Sequence, residues 1–281
     1  MPESFRYSFE FFPPKTPAQS AQLWETVDHL LPLRPQFVSV TFGAGGSTRE
    51  KTRETVLQMM HKGAQNVTPH LTCVGLSKDD IHAIADDYWQ HGVRSLVGLR
   101  GDMPERTMVY APHPDGYPYA ADLITGLRQR HDFDIKVSAY PEKHPESPSL
   151  SQDIDVLKRK QDAGATQAIT QFFFDVDVYS RFVDAARKAG LTIPIVPGLL
   201  AMHSFPQAKA FAAFCGTSVP PWVDRWFAGF DQEPANHHLA AHLLMTQCET
   251  LFQQGVRDFH FYTLNRWPLV SAAVQVLRAQ S

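Results

Sequence analysis

The 281-residue chain is poor in cysteine, with three, Cys73, Cys215 and Cys248, and no Cys-x-x-Cys pair. An odd, widely spaced set excludes a disulfide framework and points to a reducing cytoplasm, with the thiols serving as buried packing. Excess charge is missing too. The formal net charge is -3 and no basic run stands out, which excludes nucleic acid as a partner. No stretch of about 18 apolar residues occurs, so no membrane-spanning helix is expected. The N-terminus lacks a cationic patch followed by an apolar run, so no secretory signal is expected either. Finally, no Gly-x-Gly-x-x-Gly follows the first strand, and a Rossmann dinucleotide site has no support.

What is present is alternation. Hydrophobic residues make up 43% of the chain, ordinary for a globular protein. Short β-rich runs are predicted at 7–11, 37–41, 67–72, 94–98, 135–139, 168–171, 193–196 and 258–262. Helical spacing is predicted at 19–30, 47–61, 78–90, 119–130, 150–163, 176–189, 204–214, 234–254 and from 267 to about 279, with an irregular or short helical piece at 220–231. Ser47 and Glu50 have capping-box spacing and Ser77 caps the third helix. Gly63, Gly92, Gly190 and Gly255 close helices. Strict strand–helix alternation implies parallel strands with crossover helices. Eight units in this length match a single-domain (β/α)8 TIM barrel over residues 1–281. A doubly wound open sheet is the alternative.

Catalytic residues of such barrels sit at the C-terminal strand ends. That rule selects Glu10, Thr41, His70, Arg100 with Asp102, Tyr140 with His144, Gln171 and Arg266. The set suits a polar heteroaromatic compound. Glu10 lies in Phe9-Glu10-Phe11-Phe12-Pro13-Pro14. On a strand it either points away from the core while Phe9 and Phe11 point in, or it is a buried acid. In the second case the aromatics would leave the carboxyl poorly solvated and raise its pKa, as a general acid requires.

Other features have two readings each. Gly43–Gly46 is a tight turn or a phosphate cradle. His238 and His242, with His237 beside them, have i, i+4 metal-ligand spacing but no carboxylate-rich signature, so a solvated helix face is expected and no metal. Lys158-Arg159-Lys160 is an exposed helix end or a diphosphate neutraliser. Phe172-Phe173-Phe174 is barrel packing or partly the wall of a planar ligand site. The Pro- and Gly-rich segment 103–118 is long enough to be functional or mobile.

In family order, the chain carries Phe9-Glu10-Phe11-Phe12-Pro13-Pro14-Lys15, Val40-Thr41-Phe42-Gly43-Ala44-Gly45-Gly46, His70-Leu71-Thr72-Cys73 and Leu99-Arg100-Gly101-Asp102. It continues with Ala139-Tyr140-Pro141-Glu142, His144-Pro145-Glu146, Ile169-Thr170-Gln171-Phe172-Phe173-Phe174-Asp175, Val196-Pro197-Gly198-Leu199 and Phe259-His260-Phe261-Tyr262-Thr263-Leu264-Asn265-Arg266. Together they resemble the methylenetetrahydrofolate reductase family, in its short bacterial form without the regulatory module of larger relatives. The resemblance implies FAD bound in the barrel mouth and a ping-pong cycle. NADH or NADPH reduces the flavin, and methylenetetrahydrofolate then takes the hydride and becomes methyltetrahydrofolate, as in methionine synthesis.

The resemblance also implies roles for residues. Glu10 is the general acid, and Asp102 the charge near flavin and pterin. Gln171, Phe211 and Arg266 contact substrate. Thr41, His70, Arg100, Gly101, Asp102, Ala120, Tyr140, His144, Ser147, Asp153, Arg159 and Lys160 contact FAD. A homo-oligomer is implied as well. The sequence departs from the family in the long 103–118 segment, with Tyr110, His113, Asp115 and Tyr117, and at Val156, where a polar residue is expected near the diphosphate. A pterin-binding methyltransferase barrel and a silent folate- or flavin-binding module are the competing readings.

Overall fold

A computed structural model describes residues 5–43, 49–103, 110–229 and 235–280. The strands are β1 (Arg6–Phe11), β2 (Phe37–Val40), β3 (Val67–Thr72), β4 (Ser95–Leu99), β5 (Asp134–Ala139), β6 (Gln167–Thr170), β7 (Ile195–Val196), β8 (Gly198–Leu200) and β9 (Asp258–Tyr262). The helices are α1 (Pro17–Leu30), α2 (Arg49–His61), α3 (Lys78–Gln90), α4 (Ala120–Arg130), α5 (Leu150–Asp162), α6 (Val176–Lys188), α7 (Phe205–Cys215), α8 (Pro221–Phe227), α9 (Ala235–Gln253) and α10 (Pro268–Gln280). All strand pairs are parallel, in the order β7-β6-β5-β4-β3-β2-β1-β9-β8. The result is a TIM-barrel-like fold in one α/β domain, as the alternation predicts.

The ring closes through a divided seventh strand. β7 pairs with β6 at Ala168↔Ile195, and β8 pairs with β9 at Gly198↔His260. Pro197 separates the pieces because it has no N–H for the ladder, yet its carbonyl still accepts from His260 N at 3.0 Å. Gly198 is required there by space. A Cβ would lie 2.2 Å from the Thr170 carbonyl oxygen and 2.6 Å from the Tyr262 ring.

Strand burial is nearly continuous, with β2 and β3 buried at every residue, because both faces of a parallel sheet are covered. The outward residues Phe9, Phe11, Phe259 and Phe261 join Leu23, Val27, Val56 and Ile84 in the main core between strands and helices. Truncating one such buried Phe typically costs about 3–5 kcal/mol. A satellite core of Phe172, Phe174, Leu200, Phe205, Val223 and Phe227 underlies α7, α8 and α9. It fixes the rim near β6 and β8.

Helix ends follow local chemistry. Ser77 and Asp80 form a reciprocal capping box at α3. The predicted Ser47–Glu50 cap and most of the Gly43–Gly46 turn lie outside the described residues. The piece at 220–231 contains the short helix α8. Cys73 and Cys248 are buried free thiols, as expected, while Cys215 is half-buried. Among the described residues no helix is long and apolar enough to cross a membrane.

Candidate active site at the C-terminal rim

Alternation along β1 sends Phe9 and Phe11 outward to full burial, and Ser8 and Glu10 into the barrel. β9 repeats the pattern, with Phe259 and Phe261 outward and His260 and Tyr262 inward, in register Ser8↔His260 and Glu10↔Tyr262. Phe9 and Phe11 thus point into the core between strands and helices and Glu10 away from it, but the face Glu10 takes is the barrel interior, where it is mostly buried. Its Oε2 lies 3.3 Å from His70 Nε2 and 3.7 Å from His260 Nε2. The other nitrogen of His260, Nδ1, is 2.7 Å from Ser8 Oγ. Tyr262 donates its hydroxyl across the barrel to the Thr170 carbonyl at 2.7 Å.

This corrects the expectation of a raised pKa. Burial does push the Glu10 carboxyl up, but the imidazoles of His260 and His70 close to it outweigh that, bringing it to about 2. The flanking aromatics belong to the outer core, and the imidazoles set the acid's strength. Sequence reasoning missed His260 and Ser8 as site residues. The signal was the shared alternation of Ser-Phe-Glu-Phe and Phe-His-Phe-Tyr.

Beside this cluster lies a cavity of about 360 Å³, lined by Phe12, Gln19, Met202, His203, Phe211 and Arg266 among others. Phe211 and Arg266, two of the residues expected to contact substrate, both line it. Phe211 is stacked on Phe172, with centroids 5.4 Å apart, so it is held against the satellite core with an exposed edge. The Phe172–Phe174 run is thus mainly packing, since all three rings are buried. Gln171 stands elsewhere on the rim. It follows β6 beside Tyr140 and Thr217, and its Oε1 accepts from Phe172 N at 3.0 Å.

The residues expected to contact FAD lie at the ends of β2–β5, at the start of α4, and at both the first and the last turn of α5. Thr41 N donates to the Phe11 carbonyl at 2.9 Å. Gly101 has φ +85°, and a Cβ would lie 2.6 Å from Val74 Cγ1, so only glycine fits. Arg100 is bidentate to Glu146, at 2.5 and 3.1 Å. Its expected partner Asp102 is 3.9 Å away and largely exposed. The Arg100 guanidinium also lies 4.5 Å from the centre of the Tyr110 ring. The described part of the long segment folds back onto α3, through the Asp115 carbonyl to Lys78 N and Tyr117 to His82. Ala120 opens α4 next to exposed Tyr119.

Asp153 organises the next turn. It accepts from His144 N at 2.9 Å and from Ser147 Oγ at 3.3 Å. Tyr140 meets the His144 ring edge-on at 4.7 Å. Burial lifts the Tyr140 phenol to about 12, and burial with Arg100 lowers His144. The Lys158–Lys160 run is divided. Arg159 is exposed, but Lys160 is buried, and its Nζ donates to the Ser138 carbonyl at 2.9 Å. The exposed-end reading is thus overturned for Lys160. Burial lowers it to about 8, although Asp153 opposes the shift. Val156 is half-buried on the same helix. His238 and His242 are exposed on α9, and no metal-binding cluster occurs among the described residues.

The donor set suits a dinucleotide flavin. Lys160 is a buried cation bonded to neutral oxygens, Arg159 adds an exposed positive charge, Arg100 is a cation already paired with Glu146, and Asp153, Ser147 and Thr41 supply polar groups for hydroxyls. Anions are favoured where such cations sit in a medium of low dielectric.

Comparison with known proteins agrees with the motif order. The methylenetetrahydrofolate reductase family model matches residues 2–278. The chain is 45% identical over 262 residues to the 5,10-methylenetetrahydrofolate reductases of Salmonella typhimurium and Escherichia coli, covering 92% of this chain and 86% of each relative. A solved structure described as an uncharacterized protein from Clostridium thermocellum that binds two copies of 5-methyl-5,6,7,8-tetrahydrofolic acid shares the fold. Its TM-score is 0.65 at 13% identity, over 99% of this chain and 96% of that one. On these matches, the chain belongs to the methylenetetrahydrofolate reductase family.

Proposed function

We propose that this protein reduces 5,10-methylenetetrahydrofolate to 5-methyltetrahydrofolate with NADH or NADPH, through FAD, in a ping-pong cycle. The observation that carries the reading is the inward Glu10 carboxylate, within reach of His70 and His260 and beside the cavity of Phe211 and Arg266. FAD, when bound, supplies the relay of hydride between the two substrates. Lys160, Arg100 and Arg159 would hold its diphosphate; Asp153, Ser147 and Thr41 would hold its hydroxyl-bearing parts.

The chain's own chemistry is proton handling. Glu10 delivers a proton to a ring nitrogen of the folate, which opens the five-membered ring. The carboxyl must be protonated for that step, while His70 and His260 favour its charged form. A ligand that fills the mouth removes water around Glu10 and competes for His70, and both changes raise the carboxyl pKa. Ser8 holds the His260 ring through Nδ1 at 2.7 Å, which keeps its Nε2 turned toward Glu10 at 3.7 Å. Asp102 contributes negative charge at the rim, which favours a cationic folate.

The test is spectroscopic. Purified protein carries a flavin absorbance band, NADH bleaches it anaerobically, and methylenetetrahydrofolate restores it. A colourless protein that neither takes up FAD nor turns over folate defeats the reading. It would favour the methyltransferase or binding-module alternative.

A further inference from the structure

β9 ends at Tyr262, the ladder partner of Glu10, and the chain then turns sharply towards α10. Two consecutive residues of that turn are left-handed, Leu264 at φ 51° and Asn265 at φ 53°. For a leucine this backbone is costly, and such strain persists only where surrounding contacts over-determine it. The contacts here lead to the end of β1. Thr263 is fully buried, and its N and Oγ1 both donate to the Glu10 carbonyl, at 3.3 and 2.7 Å. The same hydroxyl oxygen accepts from Asn265 N at 3.0 Å. The buried Asn265 side chain then takes both backbone groups of Phe12. Its Oδ1 accepts from Phe12 N at 3.1 Å, and its Nδ2 donates to the Phe12 carbonyl at 2.9 Å. One side-chain amide thus stands in for the next peptide of a strand that has already ended. Behind the turn, Thr26 Oγ1 of α1 donates to the Asn265 carbonyl at 2.7 Å.

We propose that Thr263 and Asn265 are positioning residues, which clamp the end of β1 and so hold the Glu10 carboxylate within reach of His70 and His260. The inference rests on the reading above that Glu10 is the proton donor. Glu10 is the penultimate residue of β1, and Pro13 and Pro14 follow shortly after, with no N–H to extend the pairing. On the β2 side, Thr41 N holds the Phe11 carbonyl at 2.9 Å. On the β9 side, the ladder stops at Glu10, and Thr263 and Asn265 supply the bonds that continue it. Asparagine suits this place, because it tolerates the left-handed backbone and carries donor and acceptor on one planar group. Asn265 also lines the 360 Å³ cavity together with Phe12 and Leu264. The clamp therefore fixes the acid relative to the wall that faces substrate, and a displacement on the order of 1 Å is enough to cost about 10²-fold in rate.

The test uses the FAD-loaded protein and follows flavin absorbance anaerobically in each half-reaction. Thr263→Val removes the hydroxyl and keeps the side chain's shape. Asn265→Gly removes the amide, while glycine adopts the left-handed backbone freely. With saturating methylenetetrahydrofolate, both variants are expected to reoxidise the flavin roughly tenfold or more slowly. Thr263→Ser, which keeps the hydroxyl, is expected to restore the rate, and NADH is expected to bleach Thr263→Val at the unsubstituted rate. The decisive comparison repeats both substitutions in Glu10→Gln. With no acid to place, they slow the residual reoxidation by less than about threefold, because the effects of coupled residues do not add. Slowing by the same factor in Glu10→Gln, or no slowing in either variant, overturns the clamp while Glu10 keeps its role. If Glu10→Gln itself reoxidises as fast as the unsubstituted protein, the proton-donor reading fails and the clamp falls with it.

Discussion

Glu10 of β1 and His70 of β3 meet over the intervening strand β2, carboxylate to imidazole at 3.3 Å. Ser39 makes this possible. It is the β2 partner of Glu10 and is buried but small, so the two longer side chains pass over it. His260 approaches the same oxygen from the other side, at 3.7 Å. The acid is thus held by two bases from separate strands, and its strength is a property of the barrel, beyond what its own neighbours in sequence determine.

Replacing His260 by Phe removes one of these bases and fills its space with an apolar ring. The Glu10 carboxyl then titrates at higher pH, because burial is opposed by His70 alone. Infrared difference spectra, with Glu10→Gln identifying the band, read the protonation directly. An unchanged titration contradicts the role given to His260.

Glu10 also contributes to acid stability. A free Glu titrates near 4.3, while here the carboxyl is held at about 2. A depressed carboxyl stabilises the fold above the unfolded value, and that stability is lost as pH falls from about 4.3 through about 2. Thermal unfolding of Glu10→Gln is expected to show a flatter acid limb in this window. Parallel limbs for the two proteins would show that the ion pairing contributes no net stability.

Lys160→Met tests the cofactor side. Methionine has similar length and no charge, and the site is buried. Loss of a charge-assisted hydrogen bond is worth about 1.5–3 kcal/mol. FAD affinity is therefore expected to weaken on the order of 10- to 100-fold, measured by flavin retained after gel filtration and by equilibrium titration. Wild-type retention would remove Lys160 from the diphosphate site.

Asp102→Asn is expected to slow folate reduction more than NADH oxidation. The carboxylate is exposed and 3.9 Å from Arg100, so the fold does not depend on it, and its negative charge matters where folate becomes cationic. Equal loss in both half-reactions, followed by stopped-flow absorbance, would count against the charge.

Much of this architecture was legible in the chain. Periodicity and closing glycines located the helices, and the position of polar residues at strand ends located the rim. The division of the seventh strand was signalled by Pro197-Gly198, but its consequence depends on β6 and β9, far away in sequence. Glu10 shows the limit most plainly. Its inward orientation follows from alternation once a barrel is assumed, yet the direction of its pKa depends on His70 and His260, which only the closed ring brings near. Lys160 was more accessible than the run Lys158-Arg159-Lys160 suggests, since it continues the buried stripe of Ile154 and Leu157 at i+3 spacing.

The most direct test is an anaerobic single-turnover comparison of the unsubstituted protein with Glu10→Gln, following flavin absorbance. NADH is expected to bleach both at similar rates. Methylenetetrahydrofolate is expected to restore the band about 10²- to 10⁴-fold more slowly in Glu10→Gln, the usual loss on removing a general acid. Restoration within a few-fold of the unsubstituted rate would contradict the assignment of Glu10 as the proton donor.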